Sequence, residues 1–338
     1  MANEKVTSQD VAKRAGVSQS AVSRVFTPGA SASKTTIEKV KKAADELGYR
    51  PNVLARSLIT GKSRIIGLVV AYLENHFYPD ALEKLSKALQ QRGYHVLIFM
   101  ASNNSDNIDE VVEEILDYQV AGIVAASVAL SSELAERCQA AGIPVVLFNR
   151  SQDDDRLSAV TSDNFAGGRK VAEYLIEQGH TRLGYIAGWE GASTQRDREM
   201  GFKSGVDAHL KTGYARAVGN YLQEDARAAT LELFSRPGRP TAVFVANDHM
   251  AFIVMDVIRH ELGLRVPQDV AVIGYDDVPM ASWPSYDLTT VRQPANRMVA
   301  ETVNILMNTL KHGATEPKRV AIDGPLVVRG SSKLNKDD

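Results

Sequence analysis

Polar side chains near the N-terminus have the types and spacing to read the base edges of DNA. Gln19, Ser20 and Arg24 lie in one short helical pattern, away from the stripe formed by its apolar residues. An arginine can donate two hydrogen bonds to a guanine and a glutamine can pair with an adenine, whereas a serine discriminates poorly between bases. The pattern predicts a helix that reads a major groove, although it also fits a plain three-helix domain that binds nothing.

The elements that must position these side chains are three short helices, predicted over 9–15, 19–26 and 35–47. Thr7 and Ser18 precede the first two helices as N-cap residues, and Gly16 allows the tight turn between them. Ser23 joins the polar side chains that point outward from the second helix. A helix, a short glycine turn and a second helix with outward polar residues are typical of a helix-turn-helix DNA-binding domain.

The charge of the chain is distributed unevenly along its 338 residues. Residues 1–64 contain 12 lysines and arginines against 5 acidic residues, whereas the rest contains 27 basic against 36 acidic residues. A basic N-terminal module on an acidic body indicates that the module meets a polyanion such as DNA. The alternative is a basic face that is only solvated.

Motifs of catalysis and of cofactor or metal binding find no support. No pair of the seven histidines has the HExxH spacing, and no GxSxG is present. The Gly-Lys-Ser at 61–63 lacks the first glycine of a phosphate-binding loop, because Arg56 stands there. Cys138 is the single cysteine, which excludes a disulfide framework and a cysteine zinc cluster. We therefore expect a protein that is not an enzyme and needs no cofactor.

The body of the chain alternates apolar runs with helical patterns, which predicts parallel sheets covered on both faces by helices. Predicted strands are 65–71, 94–100, 121–126, 144–148, 183–187, 242–246 and 270–275. Predicted helices are 79–91, 107–118, 164–178, 194–211, 223–235 and 248–262. Two such blocks indicate an α/β fold of two lobes. A ligand would bind at the carboxyl ends of the strands, where the lobes face each other.

Nothing in the chain predicts a membrane or a secreted protein. Its longest apolar run, 120–130, is far shorter than the roughly 20 residues that a spanning helix needs. The N-terminus carries no apolar signal segment. We expect a cytoplasmic protein without a membrane partner.

Two runs, VTSQDVAKRAGVSQSAVSRVF and KTTIEKVKKAADELGYRPNVLARSL, closely resemble the LacI family of bacterial transcriptional regulators. The resemblance implies a DNA-binding headpiece over 1–50 and a hinge helix with linker over 51–62. In that family the hinge leucine wedges into the minor groove. By position this is Leu58, with Ala55 beside it and Asn52 near a phosphate. The alternative is a linker residue that packs on its neighbours.

The same resemblance extends through the rest of the chain, in SDNFAGGRKVAEYLIEQGHTRLGYIAG, VFVANDHMAF, VAVIGYDDVPMA and DLTTVRQP. It implies a two-lobed core, similar to periplasmic binding proteins, that binds a ligand and dimerises over 63–338. Lobe one is expected at about 63–161 plus 292–322, and lobe two at about 162–291 plus 323–333.

Candidate effector-binding residues lie just after the predicted strands, and they are Tyr72, Phe77, Tyr78, Asn149, Arg150, Arg198, Tyr221, Asn247 and Asp276. Arg198 precedes Gly201 by three residues and Asp276 is the first acid of GYDD, which are ligand-binding positions of the family. Arginine, aspartate and asparagine together can bracket neighbouring hydroxyls. Phe77 and Tyr78 also fit core packing, and Asn149 and Arg150 also fit contacts that only bridge the lobes.

These observations predict a dimeric regulator, most simply a repressor, that binds a near-palindromic operator and responds to a sugar or a related small polar metabolite. The end of the chain, GSSKLNKDD, lacks leucine heptads, which favours a dimer over a tetramer. A secreted sugar-binding protein and an architectural DNA-binding protein without a ligand are the alternatives. The sequence leaves open whether the effector releases the protein from DNA or promotes binding.

Overall fold

The structure is a computed structural model that describes residues 6–27, 30–50, 63–101, 105–128, 131–153, 155–313 and 316–333. The chain divides into two compact units between Ser63 and Arg64. The first unit is helical and the second is α/β, in agreement with the predicted fold class.

The helical unit consists of α1 (Ser8–Ala15), α2 (Gln19–Phe26) and α3 (Lys34–Leu47). Thr7 and Asp10 form a reciprocal capping box at the start of α1, and the Ser18 hydroxyl accepts from the amide of Ala21 at the start of α2. Gly16 ends α1 with φ 66°, a left-handed conformation that a side chain disfavours. Apolar faces of the helices meet in a small core of Val11, Ala12, Val22, Val40, Ala43 and Ala44.

The first sheet of the α/β unit is entirely parallel, with strand order β11-β5-β4-β3-β1-β2. Its strands are β1 (Ile65–Val70), β2 (His95–Met100), β3 (Gly122–Ala126), β4 (Val145–Phe148), β5 (Ser158–Ser162) and β11 (Arg319–Ile322). Every residue of β1 is buried, as a strand covered by helices on both faces requires.

The second sheet has the order β12-β10-β9-β8-β6-β7 and is parallel except for the antiparallel edge strand β12. Its strands are β6 (Leu183–Ala187), β7 (Tyr214–Val218), β8 (Ala242–Val245), β9 (Ala271–Asp276), β10 (Thr289–Arg292) and β12 (Leu326–Val327). The chain therefore passes between the two sheets three times, after β5, after β10 and after β11.

Helices cover both sheets. They are α4 (Phe77–Gln90), α5 (Ser105–Asp117), α6 (Ser132–Ala140), α7 (Asn164–Glu177), α8 (Ser193–His209), α9 (Gln223–Ser235), α10 (Asp248–Asp256) and α11 (Ala295–His312). A π-helical turn, Val257–Glu261, extends α10, and a 3-10 turn follows β9 at Pro279–Ser282.

Helices α7 and α8 pack against each other through glycines. A Cβ atom at Gly201 would lie 2.0 Å from the carbonyl oxygen of Phe165, and one at Gly168 would lie 2.0 Å from that of Arg198. Only glycine permits so close an approach of the two backbones. Because Arg198 lies on this contact, the packing of the two helices also fixes where its side chain starts.

Candidate functional site

The second headpiece helix presents its polar residues to solvent. Val22 is buried in the small helical core, whereas Gln19, Ser20, Ser23 and Arg24 are exposed. The capping bond of Ser18 holds the helix start, which places Gln19 and Ser20 in the first turn. A helix that inserts its N-terminal residues into a major groove would present this face to the bases.

The exposed headpiece side chains hydrogen-bond to one another. Gln19 Nε2 donates to the Ser8 hydroxyl at 3.0 Å, and the hydroxyls of Ser18 and Ser20 are 2.9 Å apart. Arg24 Nε donates to the carbonyl of Ser20 at 3.4 Å. These contacts are exposed to solvent, so exchanging them for contacts with DNA costs little. The predicted hinge residues Asn52, Ala55 and Leu58 lie outside the described residues.

Thr7 is the N-cap residue of α1. Its hydroxyl donates to the Asp10 carboxylate at 2.7 Å and accepts from the amide of Asp10 at 3.4 Å. The Thr7 hydroxyl holds the first turn of α1 together and is exposed beside it. A DNA contact by Thr7 would therefore use a hydroxyl whose orientation is already set by the capping box.

A cleft between the two sheets brings eight of the nine predicted effector residues together. Its lining, called the cleft below, consists of Tyr72, Asn75, Tyr78, Asn149, Arg150, Thr194, Arg198, Tyr221, Asn247 and Asp276. Most of these residues follow the carboxyl ends of strands, where parallel α/β sheets place their ligand sites.

Arg198 is the most constrained cation of the cleft. Its guanidinium donates to Asn164 Oδ1 at 2.9 Å, to the carbonyl of Ala246 at 2.6 Å and to Asp276 Oδ1 at 3.4 Å. It also lies 3.7 Å from the ring centroid of Tyr275, and the residue is 2% exposed. Because its donors are held on three sides, the position of the charge is fixed before any ligand binds.

The carboxylate of Asp276 accepts hydrogen bonds from both lobes. Oδ1 accepts from Gln293 Nε2 at 2.7 Å, and Oδ2 accepts from Asn75 Nδ2 at 2.9 Å, across the cleft. Its backbone has φ 125°, which is unusual for a residue with a side chain and marks strain at this strand end. Burial raises the pKa of Asp276, and the neighbouring Arg198 opposes that rise.

A second buried carboxylate, Asp248, supports the strand end from behind. It accepts from the Thr290 hydroxyl at 2.6 Å and from the amide of Val278 at 3.0 Å. Burial, and then the nearby Asp276, raise the pKa of Asp248 well above its ordinary value. These hydrogen bonds hold the end of β9, where Asp276 lies, and the segment that follows it.

Asn247 contributes to the cleft from the start of α10. Its Oδ1 accepts from the amide of Met250 at 3.0 Å and so caps the helix. The cap leaves the side-chain NH2 group to donate to a ligand. With Arg198 and Asp276, the cleft thus combines donors and an acceptor that suit neighbouring hydroxyl groups.

Hydrogen bonds between the lobes hold the cleft closed. Besides the Asn75–Asp276 contact, the Tyr72 hydroxyl donates to the carbonyl of Tyr221 at 2.6 Å, and the amide of Ser151 donates to the Ser193 hydroxyl at 3.0 Å. The remaining cavity is about 10 Å³, which is space for about one water molecule. A sugar-sized ligand can enter only when the lobes separate.

The lobe-one wall of the cleft is formed by the segment after β4. Asn149 has φ 70°, and its Nδ2 donates to the Tyr78 hydroxyl at 2.7 Å. Arg150 follows, 6% exposed, with its guanidinium 5.5 Å from the ring centroid of Trp189 in lobe two. Tyr78 and Asn149 therefore act as one unit, and Arg150 reaches across to the other lobe.

Phe77 is the predicted effector residue that the structure does not place in the cleft. Its ring is stacked on that of Phe148, with centroids 6.2 Å apart, and lies 5.4 Å from that of Tyr78. Phe77 is buried in the core and borders a second cavity of about 450 Å³ beside the start of α11, which shares Asp276 with the cleft. Consecutive helical residues point about 100° apart, so Tyr78 and Phe77 face different surroundings.

Several residues of the site were not among the predicted ones. Asn75 and Thr194 line the cleft, and Gln293 and Asp248 hold Asp276 directly or through its strand end. Gln293 lies in DLTTVRQP and Asp248 in VFVANDHMAF, so both belong to segments that carry the family resemblance. Asn75 carries no such signal, because its partner Asp276 is distant in the chain.

The described part of the chain contains neither a candidate metal site nor a helix that could span a membrane. No group of three or more histidine, cysteine or acidic side chains gathers there to hold a metal ion. No described helix combines the length and apolarity needed to cross a bilayer.

Comparison with family models gives two matches. Residues 7–52 match the model for bacterial regulatory proteins of the lacI family, and residues 172–332 match a periplasmic binding protein-like domain. The matched ranges include the helix-turn-helix segment and most of the residues that follow the strands of the second sheet.

Similar proteins cover nearly the whole chain. The HTH-type transcriptional repressor PurR of Vibrio vulnificus is 31% identical over 330 residues, which are 97% of this chain and 98% of the relative. The structure of the Lac repressor dimer bound to operator and the anti-inducer ONPF has 28% identity and a TM-score of 0.87, with coverage of 98% and 100%. A complex of the transcriptional regulator CelR with cellobiose has 30% identity and a TM-score of 0.72, with coverage of 97% and 100%.

Proposed function

Because the chain belongs to the LacI family of bacterial regulatory proteins, we propose that it represses transcription as a dimer on a near-palindromic operator, under the control of a small polar effector. The family consists of DNA-binding transcriptional regulators and not of enzymes, and this chain is a sequence-specific DNA-binding regulator. The observation that carries the proposal is that one chain combines an outward polar helix face, Gln19 to Arg24, with the cleft around Arg198 and Asp276.

The headpiece reads the operator. Gln19, Ser20 and Arg24 contact base edges in the major groove, and Thr7, Ser18 and Ser23 join them at the DNA surface. Contacts to phosphates provide most of the affinity and make it depend on salt. This assignment is supported by the exposure of the α2 side chains and by the similarity to a repressor dimer bound to operator.

The hinge acts at the operator centre. In this proposal Leu58 wedges between base pairs in the minor groove, with Ala55 beside it and Asn52 near a phosphate. A wedged leucine unstacks a base step and bends the duplex, so the operator centre should favour deformable steps. Two hinges must meet there, which couples the DNA affinity to the spacing of the two subunits.

The effector is a sugar or a related polyhydroxylated metabolite bound in the cleft. Arg198, Asn247 and Asp276 bind its hydroxyls, while the rings of Tyr72, Tyr78 and Tyr221 cover its apolar face. Asn149 and Arg150 contact it from lobe one. The similarity to a regulator in complex with cellobiose supports this class of ligand.

The effector acts by favouring one arrangement of the lobes. Lobe one, the lobe of the first sheet, and lobe two are joined by three chain crossings, so a change in their relative orientation is transmitted to residues 51–62 at the start of lobe one. A ligand shifts this equilibrium only if it binds one arrangement more tightly than the other. In this proposal the headpiece (1–50) reads the operator, the hinge (51–62) couples the subunits to the DNA, and the core (63–338) senses the effector. All three act in the cytoplasm, where the operator is.

The test is selection of the full-length protein on a pool of randomised DNA duplexes at near-physiological salt. We expect a near-palindromic consensus. The preference for one guanine in each half-site should disappear when the selection is repeated with Arg24→Ala. A consensus without two-fold symmetry would contradict the dimer. If no sequence is enriched, the selection is repeated with a metabolite mixture, and failure there as well would contradict sequence-specific operator binding.

A further inference from the structure

Arg150 is a buried cation that has no counter-ion among the described residues. It is 6% exposed, and its Nε atom is buried with no hydrogen-bond partner there. No described carboxylate forms an ion pair with it, and its guanidinium lies 5.5 Å from the centroid of the Trp189 ring. A buried ionised group without a partner is costly, and a tryptophan ring that is 36% exposed offsets only part of that cost.

The other charges of the cleft do not neutralise Arg150. Asp276 is the acidic residue of the cleft lining, and Arg198, Asn75 and Gln293 all donate to its carboxylate. The adjacent Asp277 lies outside this lining and pairs with Arg292 and Arg329. The cleft therefore contains two guanidinium groups and one carboxylate, which leaves an excess positive charge on the lobe-one side.

The residue before Arg150 in the chain, Asn149, has a buried acceptor atom. The Oδ1 atom of Asn149 is buried and has no partner among the described residues, whereas its Nδ2 donates to Tyr78. A ligand with an anionic group at Arg150 and a hydroxyl at Asn149 would pair with the guanidinium and donate to this oxygen. Arg198 and Asp276 then remain for more distant hydroxyls.

We propose that the effector is a polyhydroxylated anion whose carboxylate or phosphate group pairs with Arg150. The inference rests on the proposed function, because it assigns a charge to the effector of the same cleft. A neutral sugar bound in the cleft would leave the guanidinium without a counter-ion, which an anion of similar size supplies.

The experiment measures thermal unfolding of the full-length protein with matched probes at constant ionic strength. The pairs are D-gluconate with D-glucitol, and D-glucose 6-phosphate with D-glucose, and acetate and inorganic phosphate serve as fragments. We expect an anion, and not its neutral partner, to raise Tm. A response to gluconate and acetate would identify a carboxylate, and one to the two phosphates a phosphate group.

The variant Arg150→Gln should bind the stabilising anion about tenfold to hundredfold more weakly, the loss expected for a charge-assisted hydrogen bond. Arg150→Lys keeps the charge and should retain part of the response. Arg239→Gln, an exposed arginine that lines neither cavity, is the matched control and should respond as the wild type does.

Equal stabilisation by neutral and anionic probes, an unchanged response of Arg150→Gln, or no probe that stabilises the wild type beyond Arg150→Gln would overturn the proposal. Circular dichroism of the variants shows whether they fold. Operator selection is independent of these results. If the selection yields an operator but no anion stabilises the protein, only the proposed charge of the effector is refuted. If an anion stabilises the protein but no operator is selected, only the proposed regulator function is refuted.

Discussion

The contact between α7 and α8 leaves no space for a methyl group, which makes Gly201→Ala an informative perturbation. The new Cβ would lie 2.0 Å from the carbonyl oxygen of Phe165. Carbon and carbonyl oxygen atoms in close contact are about 3.3–3.6 Å apart. The atom in the way is backbone inside a helix, so a side-chain rotation cannot relieve the clash, and the two helices must separate by roughly 1.3–1.6 Å.

Two opposing effects set the size of the loss. Overpacking a well-packed contact costs about 1–3 kcal/mol. Replacing glycine by alanine inside a helix returns about 0.5–1 kcal/mol. Because the clash is with backbone, the overpacking cost lies in the upper half of its range, about 2–3 kcal/mol. We therefore expect a net loss of about 1–2.5 kcal/mol in the free energy of unfolding, or a fall in Tm of roughly 2–10 °C for a unit of this size.

The assay is urea and thermal unfolding of the wild type, of Gly201→Ala, of Gly168→Ala and of the double variant. Either methyl group separates the same two helices, so the second should cost less than the first and the double loss should be smaller than the sum. Lys203→Ala, exposed on the same helix, is the control and should change stability by less than about 0.5 kcal/mol. A Gly201→Ala protein as stable as the wild type, or strictly additive losses, would refute the reasoning.

Four further predictions concern the headpiece, the cleft and the pH response. Arg24→Ala should cost about 1–3 kcal/mol of operator binding and relax the preference for one guanine per half-site, as measured by binding to a panel of operators; an equal loss on all sequences would indicate a phosphate contact. Asp276→Ala should abolish the effector response and keep effector-free DNA binding in a gel-shift assay; a retained response would move the effector site elsewhere. Ser193→Ala removes the bond from the Ser151 amide and should shift the lobes toward the open arrangement, seen as a larger radius of gyration in X-ray scattering, and an unchanged radius would argue against that bond holding the cleft. Burial lowers the pKa of His180 below its usual 6.5, so as the pH falls below 6.5 the unfolded chain binds a proton before the folded one and the folded state loses stability. The free energy of unfolding should therefore fall less between pH 7 and pH 5 in His180→Gln than in the wild type, and an equal fall would exclude this histidine as a cause.

Local signals made the headpiece predictable. The second helix spans 19–26 as predicted, and the first and third begin one residue earlier than expected. Ser18 and Gly16 explain this success, because caps and left-handed turns act within a few residues of where they stand. No longer-range information is needed to place them.

Elements of the α/β unit that depend on distant partners were harder to predict. The strand Ser158–Ser162 has little apolar character, and it forms because β4 and β11 pair with it from either side. The helix Ala295–His312 does carry apolar residues at spacings of three and four, buried on one face. That periodicity can be read from the sequence, although no helix was predicted there.

The site shows the same division between local and distant information. Positions after strand ends can be read along the chain, and eight of the nine chosen residues line the cleft. The direction of a side chain at a helix start cannot be read in this way, so the sequence does not separate Phe77, which packs in the core, from Tyr78, which lines the cleft. Asn75 was missed because its partner, Asp276, lies 201 positions further along the chain.

The hydrogen bonds that close the cleft also bear on how sensitive the regulator is. An effector that enters only the open arrangement binds with an apparent Kd equal to its intrinsic Kd divided by the open fraction. Strengthening or weakening the Ser151–Ser193 bond by about 1.4 kcal/mol would shift the effective concentration about tenfold. Neither residue belongs to the cleft lining, so the threshold of the response can evolve separately from the choice of effector.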